Sequence, residues 1–225
     1  MYISKHFAQT DTGSMHKLIQ VHPLATWVTQ YADGDMIIDH IPFILDPNRG
    51  EFGTLIGHIS KANPLWKKFH TSTQSVCVFH GVEGYISPNW YVESRAEHGK
   101  VVPTWNYATV HAYGQPKVIE GSEALYELLR ITTERFESRL PEVWTMQDAP
   151  EDYIRKMLKA IIGVEIPITQ LIGKFKLNQN KKEADRAGVV AALMAQGNSE
   201  SKHMAAIIKQ TLRPAHNEID DKIEK

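Results

Sequence analysis

Residues that could do chemistry are concentrated in one segment, residues 85–114 (YISPNWYVESRAEHGKVVPTWNYATVHAYG). The segment places Trp and Tyr side chains beside charged ones and contains few aliphatic residues. Such a mixture is poor material for a core and costly to leave in water, so it usually lines a site or an interface. His98, Lys100 and Tyr107 are its candidates for contact with a substrate. The alternative is a long structural crossover whose aromatic side chains pack on the rest of the protein.

A candidate anion site stands at Lys61. Lys61 ends a strand-like run, and Ala62 and Asn63 follow before Pro64 opens a helical segment. A lysine ammonium and free backbone N–H groups at such a corner would attract a phosphate. Taken alone, a solvated lysine before a turn is the simpler interpretation.

A second group of cationic residues lies nearer the C-terminus. It suits a phosphate ligand or nucleic acid, with a solvated face as the alternative. Its members are Lys174, Lys176, Lys181, Lys182 and Arg186.

The net charge of −1 gives no global positive field, so DNA binding would need a local patch. Residues 183–193 and 199–211 mimic a helix-turn-helix around a Gly-Asn break. The second segment carries little basic charge, and a helical hairpin packed on the rest explains both with fewer assumptions. Its basic residues are Lys202, His203 and Lys209.

Signatures of several other chemistries are absent from the sequence. Eleven His residues show no metal-ligand spacing, and no hydrolase nucleophile motif, dinucleotide fingerprint or P-loop occurs. The single cysteine, Cys77, excludes an internal disulfide and lies in an apolar run that favours a buried, unreactive thiol. No signal peptide and no apolar run of bilayer length is found, so we expect a cytoplasmic protein without a membrane partner.

The elements that must position these residues are short strands followed by helices. Six strands joined by tight turns predict a closed antiparallel barrel, with a sandwich as the other option. The strand patterns are at 24–31, 36–45, 54–60, 75–81, 85–86 and 105–113. Pro42 indicates an edge or a bulge in the second of them.

Helical spacing dominates the later part of the chain. The helix patterns are at 14–22, 122–140, 150–162, 180–195 and 199–212, with strand texture returning at 163–175. We therefore predict an α+β fold of one domain: a barrel core at 1–120, helices and a returning strand packed on it at 121–213, and a mobile tail at 214–225.

Several blocks of the sequence resemble one known family. Residues 87–91 (SPNWY), 97–107 (EHGKVVPTWNY) and 179–180 (QN) with 183–189 (EADRAGV) are similar to the PaiB-type FMN-binding proteins. These are named as negative transcriptional regulators of protease synthesis and sporulation genes. Shorter matches extend the resemblance nearly end to end, at 1–7, 22–26, 57–59 and 63–66.

The resemblance implies a split β-barrel with peripheral helices and a C-terminal helical hairpin, of the kind shared with pyridoxamine-phosphate oxidases. Such proteins are homodimers that hold FMN in a groove between the subunits. The segment 85–114 would then form a wall of that groove or part of the dimer contact.

The resemblance also implies which residues hold FMN. The strand pair near the N-terminus would give main-chain contacts to the flavin ring, and Lys61 would hold the phosphate. The expected cofactor-binding residues are Thr26, Val28, Thr29, His40, Ile41, Pro42, Lys61, Asn63, Thr104, Trp105, Asn106, Lys176 and Gln179. The sequence departs from the family at Trp27, where an aliphatic residue is expected, and at Asp39, whose carboxylate could weaken flavin binding.

Three functions are compatible with such a groove. The first is a dimeric FMN-binding negative regulator of transcription. The second is an FMN-dependent oxidoreductase, in which the flavin does the chemistry and the protein orients the substrate. The third is haem binding, with His98 or His111 as the axial ligand. The sequence assigns no catalytic residue.

Overall fold

The computed structural model describes residues 1–212, without the side chains of residues 71–73. The strands are β1 (Ala8–Gln9), β2 (Leu24–Tyr31), β3 (Met36–Pro42), β4 (Ile44–Asp46), β5 (Thr54–Ser60), β6 (Ser72–Ile86), β7 (Thr104–Gly114), β8 (Lys117–Ile119) and β9 (Ile161–Lys176). The helices are α1 (Thr12–Val21), α2 (Val92–His98), α3 (Ser122–Glu137), α4 (Glu151–Leu158), α5 (Glu183–Gln196) and α6 (Ser199–Gln210). Short 3-10 helices lie at Pro64–Thr71, Pro88–Trp90 and Met146–Asp148.

The strands form one sheet in the order β3-β2-β6-β7-β9-β5-β4, and β1 and β8 also pair with β9. The pairs β2–β3, β2–β6, β4–β5, β5–β9 and β8–β9 are antiparallel. The predicted α+β fold with antiparallel strands is confirmed. The predicted edge position of Pro42 is also confirmed, because β3 lies at one end of this order and Pro42 is its last residue.

Two predicted strand boundaries are wrong. The predicted strand at 36–45 is two strands, β3 and β4, with Phe43 between them. The side chain of Phe43 is buried. The predicted strands at 75–81 and 85–86 are one strand, β6, because Gly84 continues the extended chain and does not turn it.

Helix boundaries were predicted more closely at the N-terminus than in the middle of the chain. Asp11 caps α1, and its carboxylate accepts a hydrogen bond of 2.7 Å from the Ser14 amide. The helix predicted at 150–162 ends earlier, with α4. Ile161 and Ile162 instead begin β9 and pair with the last two residues of β5, as suits β-branched side chains.

The described chain contains two compact units. The larger unit comprises Gln9–Gly81 and Thr109–Gly173, and the smaller unit comprises Met1–Ala8, Val82–Ala108 and the described residues from Lys174 onward. The predicted division at residue 120 stays a prediction, and the tail predicted at 214–225 lies outside the described residues.

Trp27 is the largest side chain in the core of the larger unit. It is 1% exposed, and its indole N–H donates to the Ser75 hydroxyl over 2.6 Å. Its ring contacts Phe43 edge-on and Phe69 at a tilt, with centroids 5.7 and 5.6 Å away. Trp27 therefore replaces an aliphatic residue as a core side chain.

Cys77 lies in β6 and is fully buried, as predicted. Burial raises the pKa of its thiol well above the usual value, because a thiolate would lose its hydration there. The thiol is therefore protonated and out of reach of solvent.

The helical hairpin of α5 and α6 belongs to the smaller unit. Its apolar side chains share a core with the end of β6, including Val82, Ile86, Leu193, Met204 and Ile208. The predicted hairpin is thus present, and both helices bury one face within this unit.

Gly188 allows α5 to approach the Pro88–Trp90 turn closely. A Cβ at this position would lie 2.4 Å from the Trp90 carbonyl oxygen and 3.2 Å from a methyl group of Val92. Both distances are shorter than ordinary contacts, so the glycine is required by packing.

A buried carboxylate joins α5 to α2. Helix α2 has no side-chain cap of its own at Tyr91. Asp185, which is 0% exposed, accepts hydrogen bonds from the amides of Glu93 and Ser94 at 2.9 and 3.0 Å and from the Ser94 hydroxyl. Burial raises the pKa of Asp185, but the hydrogen bonds from Ser94 and Glu93 outweigh it, so the pKa lies below its usual value.

Replacing Gly188 with Ala is expected to destabilise the protein by about 1–3 kcal/mol, because the added methyl group overlaps the Trp90 carbonyl. In an open helix the same change would stabilise by about 1 kcal/mol. Urea unfolding measures the difference. Ala191→Gly, at an exposed position of α5, gives the helix-propensity contribution alone. A stabilised Gly188→Ala protein would show that the contact is not close.

Replacing Asp185 with Ala is expected to lower the free energy of unfolding by about 2–4 kcal/mol at pH 7, because buried N–H groups lose a charged acceptor. Glu183→Ala, in the same turn but exposed, is the control and should change stability by less than about 0.5 kcal/mol.

The Asp185 contribution should also depend on pH. Its pKa is lower in the folded protein, so the stabilisation is fully present above the unfolded pKa of about 3.9 and is lost as the pH falls through the folded pKa. The stability difference between the wild type and Asp185→Ala should therefore shrink below about pH 4. A difference that stays constant down to about pH 2 would contradict the role of the charged form.

Candidate functional site

Strands β2 and β3 present two of the predicted residues side by side on one face. Thr26 is the register partner of His40, and the Thr26 hydroxyl lies 3.3 Å from the His40 Nδ1. Val28 lies on the same side of β2 by the alternation of the strand and is half-buried. Thr29 and Ile41 point the other way and are buried, so a ligand could contact these two through main-chain atoms.

Both carboxylate oxygens of Asp39 accept hydrogen bonds within the larger unit. One carboxylate oxygen accepts from the Asn63 side-chain amide over 2.5 Å, and the other accepts from the His40 amide over 2.8 Å. The Asn63 side-chain oxygen in turn accepts from the Leu65 amide over 3.0 Å. Asp39 therefore acts as a brace between β3 and the start of the 3-10 helix at Pro64–Thr71.

Lys61 lies at the corner after β5, and its backbone is paired on both sides. Its amide donates to the Ala160 carbonyl over 2.8 Å, and its carbonyl accepts from the Trp66 indole over 3.1 Å. The amides of Ala62 and Asn63 both donate to Ser60, at 3.2 and 3.0 Å. These two amides are thus already paired, which leaves the Lys61 ammonium as the anion-binding group of the corner.

The Lys61 side chain lines a groove of about 1100 Å³ in the larger unit. Pockets for drug-sized ligands span about 300–1,000 Å³, so a cofactor fits in this space. Its apolar wall comes from β8, β9, α3, α4 and the 3-10 helix between the helices. The apolar residues include Ile119, Leu125, Met146, Ile154, Leu158 and Ile162.

Charged and aromatic groups are distributed around the same groove. Lys61 and Lys159 line it, as does Tyr126, and three carboxylates also line it: Glu120, Glu123 and Glu151. Arg155 also lines it but pairs with Glu151 at 2.5 Å. An apolar wall with an aromatic ring and ammonium groups suits a ligand that has a planar ring and a phosphate, and FMN is such a ligand.

Three of the predicted residues of the smaller unit lie consecutively on β7. Thr104 accepts a hydrogen bond from the Lys176 ammonium. Trp105 is 55% exposed, and its ring contacts Tyr85 edge-on with centroids 6.2 Å apart. Asn106 is 0% exposed, and within the described residues neither its side-chain nitrogen nor its oxygen has a hydrogen-bond partner.

Gln179 braces the turn that follows β9. Its side-chain oxygen accepts from the Leu177 amide over 2.7 Å, and its nitrogen donates to the Phe175 carbonyl over 2.5 Å. Both ends of the amide are therefore used within the protein.

Two lysines of the cationic group between Lys174 and Arg186 have partners within the smaller unit that reduce their exposure as a positive surface. Lys182 pairs with Glu93 and Glu97 at 2.7 and 2.6 Å. Lys174 donates to the Tyr2 carbonyl over 3.0 Å and lies 5.3 Å above the Tyr107 ring. This group is therefore a weaker positive surface than its composition indicates.

The histidines considered for haem have different surroundings. His98 is exposed at the end of α2, and its Nδ1 accepts from the Lys100 amide over 3.0 Å. His111 is half-buried in β7, and burial lowers the pKa of its imidazole. In the part of the chain that the structure describes, no cluster of three or more His, Cys, Asp or Glu could hold a metal ion.

The sequence analysis did not predict that α3 and α4 contribute to a groove. Tyr126 and Lys159 come from this region and line it beside Lys61. The apolar spacing of the two helices was a signal that they bury one face, but a single sequence does not show which strand that face contacts.

Comparisons with known proteins identify the family of this chain. Residues 1–170 match the family described as "Putative FMN-binding domain". The chain is 30% identical over 213 residues to "Protease synthase and sporulation protein PAI 2" of Bacillus subtilis, covering 95% of this chain and 99% of that protein.

Two solved structures share the fold at low sequence identity. The flavocytochrome Anf3 of Azotobacter vinelandii aligns with a TM-score of 0.57 at 16% identity, over 83% of this chain and 78% of that one. The FAD and heme binding protein of Mycobacterium smegmatis aligns with a TM-score of 0.55 at 18% identity, over 82% of this chain and 79% of that one. The predicted split-barrel fold class is confirmed.

The family match confirms both the family predicted from the motifs and the predicted cofactor, FMN. None of the helices within residues 1–212 has the length and apolar run that a membrane span requires. Because of the family match and the 30% identity to the Bacillus subtilis protein, the chain belongs to the PaiB-type family of FMN-binding proteins.

Proposed function

We propose that this protein is a homodimeric, FMN-binding negative regulator of transcription, with Lys61 as the ligand of the flavin phosphate. The observation that carries the FMN site is the Lys61 ammonium beside an apolar groove of about 1100 Å³. Among the described residues Lys61 has no carboxylate within ion-pair distance, so its charge is available to a phosphate.

Of the expected cofactor-binding residues, Lys61 is the one among the described residues that line this groove, and the others are assigned to FMN by the family resemblance. Thr26, Val28, His40 and Pro42 would face the ring, with main-chain contacts from Thr29 and Ile41. Asn63 would keep Asp39 turned away from the cofactor, because it already binds that carboxylate. By the family resemblance, further residues would reach the flavin from one subunit or the other: Thr104, Trp105, Asn106, Lys176 and Gln179. Bound FMN would supply a ring that accepts and releases electrons.

The homodimer is supported by apolar side chains on the exposed face of β2 and β3. Leu24, Met36 and Ile38 are 61%, 59% and 59% exposed. Met36 and Ile38 are neighbours on one face of β3, and Leu24 lies on the same face at the opposite end of the strand pair. Exposed apolar side chains on one face commonly mark a contact with another protein. A second copy of the chain would cover them.

The regulatory role is supported by the likeness to the Bacillus subtilis protein, whose name refers to protease synthase and sporulation. Regulation of transcription would take place in the cytoplasm. Any direct DNA contact would use the exposed side of α6, because Met204, Ala205 and Ile208 occupy its buried side. Lys202 and Lys209 are exposed there.

Replacing Lys61 with Ala is expected to weaken FMN binding about 10- to 100-fold, because a charge-assisted hydrogen bond to the phosphate is removed. Quenching of flavin fluorescence during titration measures the affinity. Lys117→Ala removes an exposed lysine of the same unit outside the groove and should leave the affinity unchanged. Equal affinities for the wild type and Lys61→Ala would place the phosphate elsewhere.

The absorption spectrum with added haemin tests the haem alternative in the same preparation.

Direct DNA binding through α6 can be tested by gel-shift titration across salt concentrations. The probe is DNA from upstream of the gene that encodes this protein, with random DNA as competitor. Replacing Lys202 or Lys209 with Ala should reduce the slope of log affinity against log salt by about 1 for each lysine–phosphate interaction that the substitution removes. Binding no tighter than to random DNA at moderate salt would remove direct DNA binding from the proposal.

A further inference from the structure

A second cavity lies entirely within the smaller unit. Its volume is about 210 Å³, smaller than the range of about 300–1,000 Å³ for drug-sized ligands. It therefore suits a small molecule or one group of a larger molecule. The surface of the cavity is mainly apolar, from Phe7, Tyr91 and Val102 and from the carbon atoms of its polar residues. The polar side chains that line it are Thr104, Lys176, Asn178, Asn180 and Lys181.

The cavity has two cationic side chains and no acidic one among its described lining residues. The Lys176 ammonium donates to the neutral hydroxyl of Thr104, and the Lys181 ammonium lies 4.9 Å above the ring of Tyr91. Neither lysine has a carboxylate within ion-pair distance in the described part of the chain. The charge of Lys181 helps to lower the pKa of Asp185, but the Asp185 oxygens already accept hydrogen bonds at the start of α2. Two positive charges here thus lack a counter-ion.

The cavity wall is held in place by Tyr91 and by a turn. The Lys181 amide donates to the Asn178 carbonyl over 2.9 Å, which closes the turn after β9. Asn178 is 3% exposed, has a left-handed backbone with φ of 64°, and donates from its side chain to the Tyr91 hydroxyl over 3.3 Å. Asn is one of the residue types that tolerates this conformation. Lys181 is thus held on a fixed turn beside the buried ring.

We propose that this cavity is a binding site for a small oxyanion, either phosphate or the carboxylate or phosphate group of an effector. Lys176 and Lys181 would supply the charge, and Thr104 and Asn180 would supply hydrogen bonds. No residue that lines this cavity also lines the groove beside Lys61. Thr104 and Lys176 would then bind this anion and not FMN, which differs from what the family resemblance implies.

The proposal is tested by titrating inorganic phosphate into FMN-saturated protein. Broadening of the phosphorus NMR signal of the phosphate measures its binding. The wild type should bind phosphate saturably with its flavin in place. Lys181→Gln should weaken binding about tenfold or more, because one charged donor is removed. Asn180→Asp, at an exposed position, should weaken it as strongly by adding a negative charge. Lys209→Gln removes an exposed lysine of the same unit and should not change it.

Acetate in place of phosphate distinguishes a carboxylate ligand from a phosphate ligand, and binding of either supports the site. Lys61→Ala should lose affinity for FMN but keep phosphate binding, so the two sites can fail independently. Three results would overturn the proposal: no saturable binding of either anion, binding that Lys181→Gln and Asn180→Asp leave unchanged, or loss of phosphate binding when FMN is added. The last result would return Lys176 and Thr104 to the flavin site.

Discussion

The smaller unit depends on one buried charge. The Asp185 carboxylate must keep its hydrogen bonds, because a buried charge without partners is far more costly than the bonds are worth. The Asp185 carboxylate binds the start of α2 and so holds the first turn of α5 against it. This restricts the position of the chain between β9 and α5. That connection carries Asn178 and Lys181. The position of the cationic turn is therefore a consequence of a hydrogen bond between residues distant in sequence, as Ser94 and Asp185 are 91 residues apart.

The two cavities differ in the chemistry that they offer. The groove beside Lys61 is large and mainly apolar, as a flavin ring requires, and its cations lie around the walls. The cavity beside Lys181 is small and also mainly apolar in its exposed surface, but two lysines and no acidic residue are among its described lining residues. Each is built within one unit, so each can be examined by substitutions that leave the other unit's core untouched.

Local signals in the sequence were enough for much of the fold. β2 was predicted with its observed bounds because its residues alternate between buried and exposed positions. Features that depend on distant partners were not predictable. The charge of Lys182 is balanced by Glu93 and Glu97, so a basic run in the sequence is not a basic surface in the protein. The groove walls from α3 and α4 were not predicted, because they too depend on contacts between residues distant in sequence. The residues expected to contact FMN were assigned only from the family resemblance.

The burial of Cys77 restricts how this protein could sense oxidants. It is the only cysteine in the chain, and its protonated thiol in β6 is neither nucleophilic nor accessible. Sulfenic acid formation and disulfide formation need an exposed thiolate, so Cys77 cannot undergo them in the folded chain. If the protein responds to the redox state of the cell, the signal has to enter through another group, such as the bound flavin or an exposed methionine like Met36.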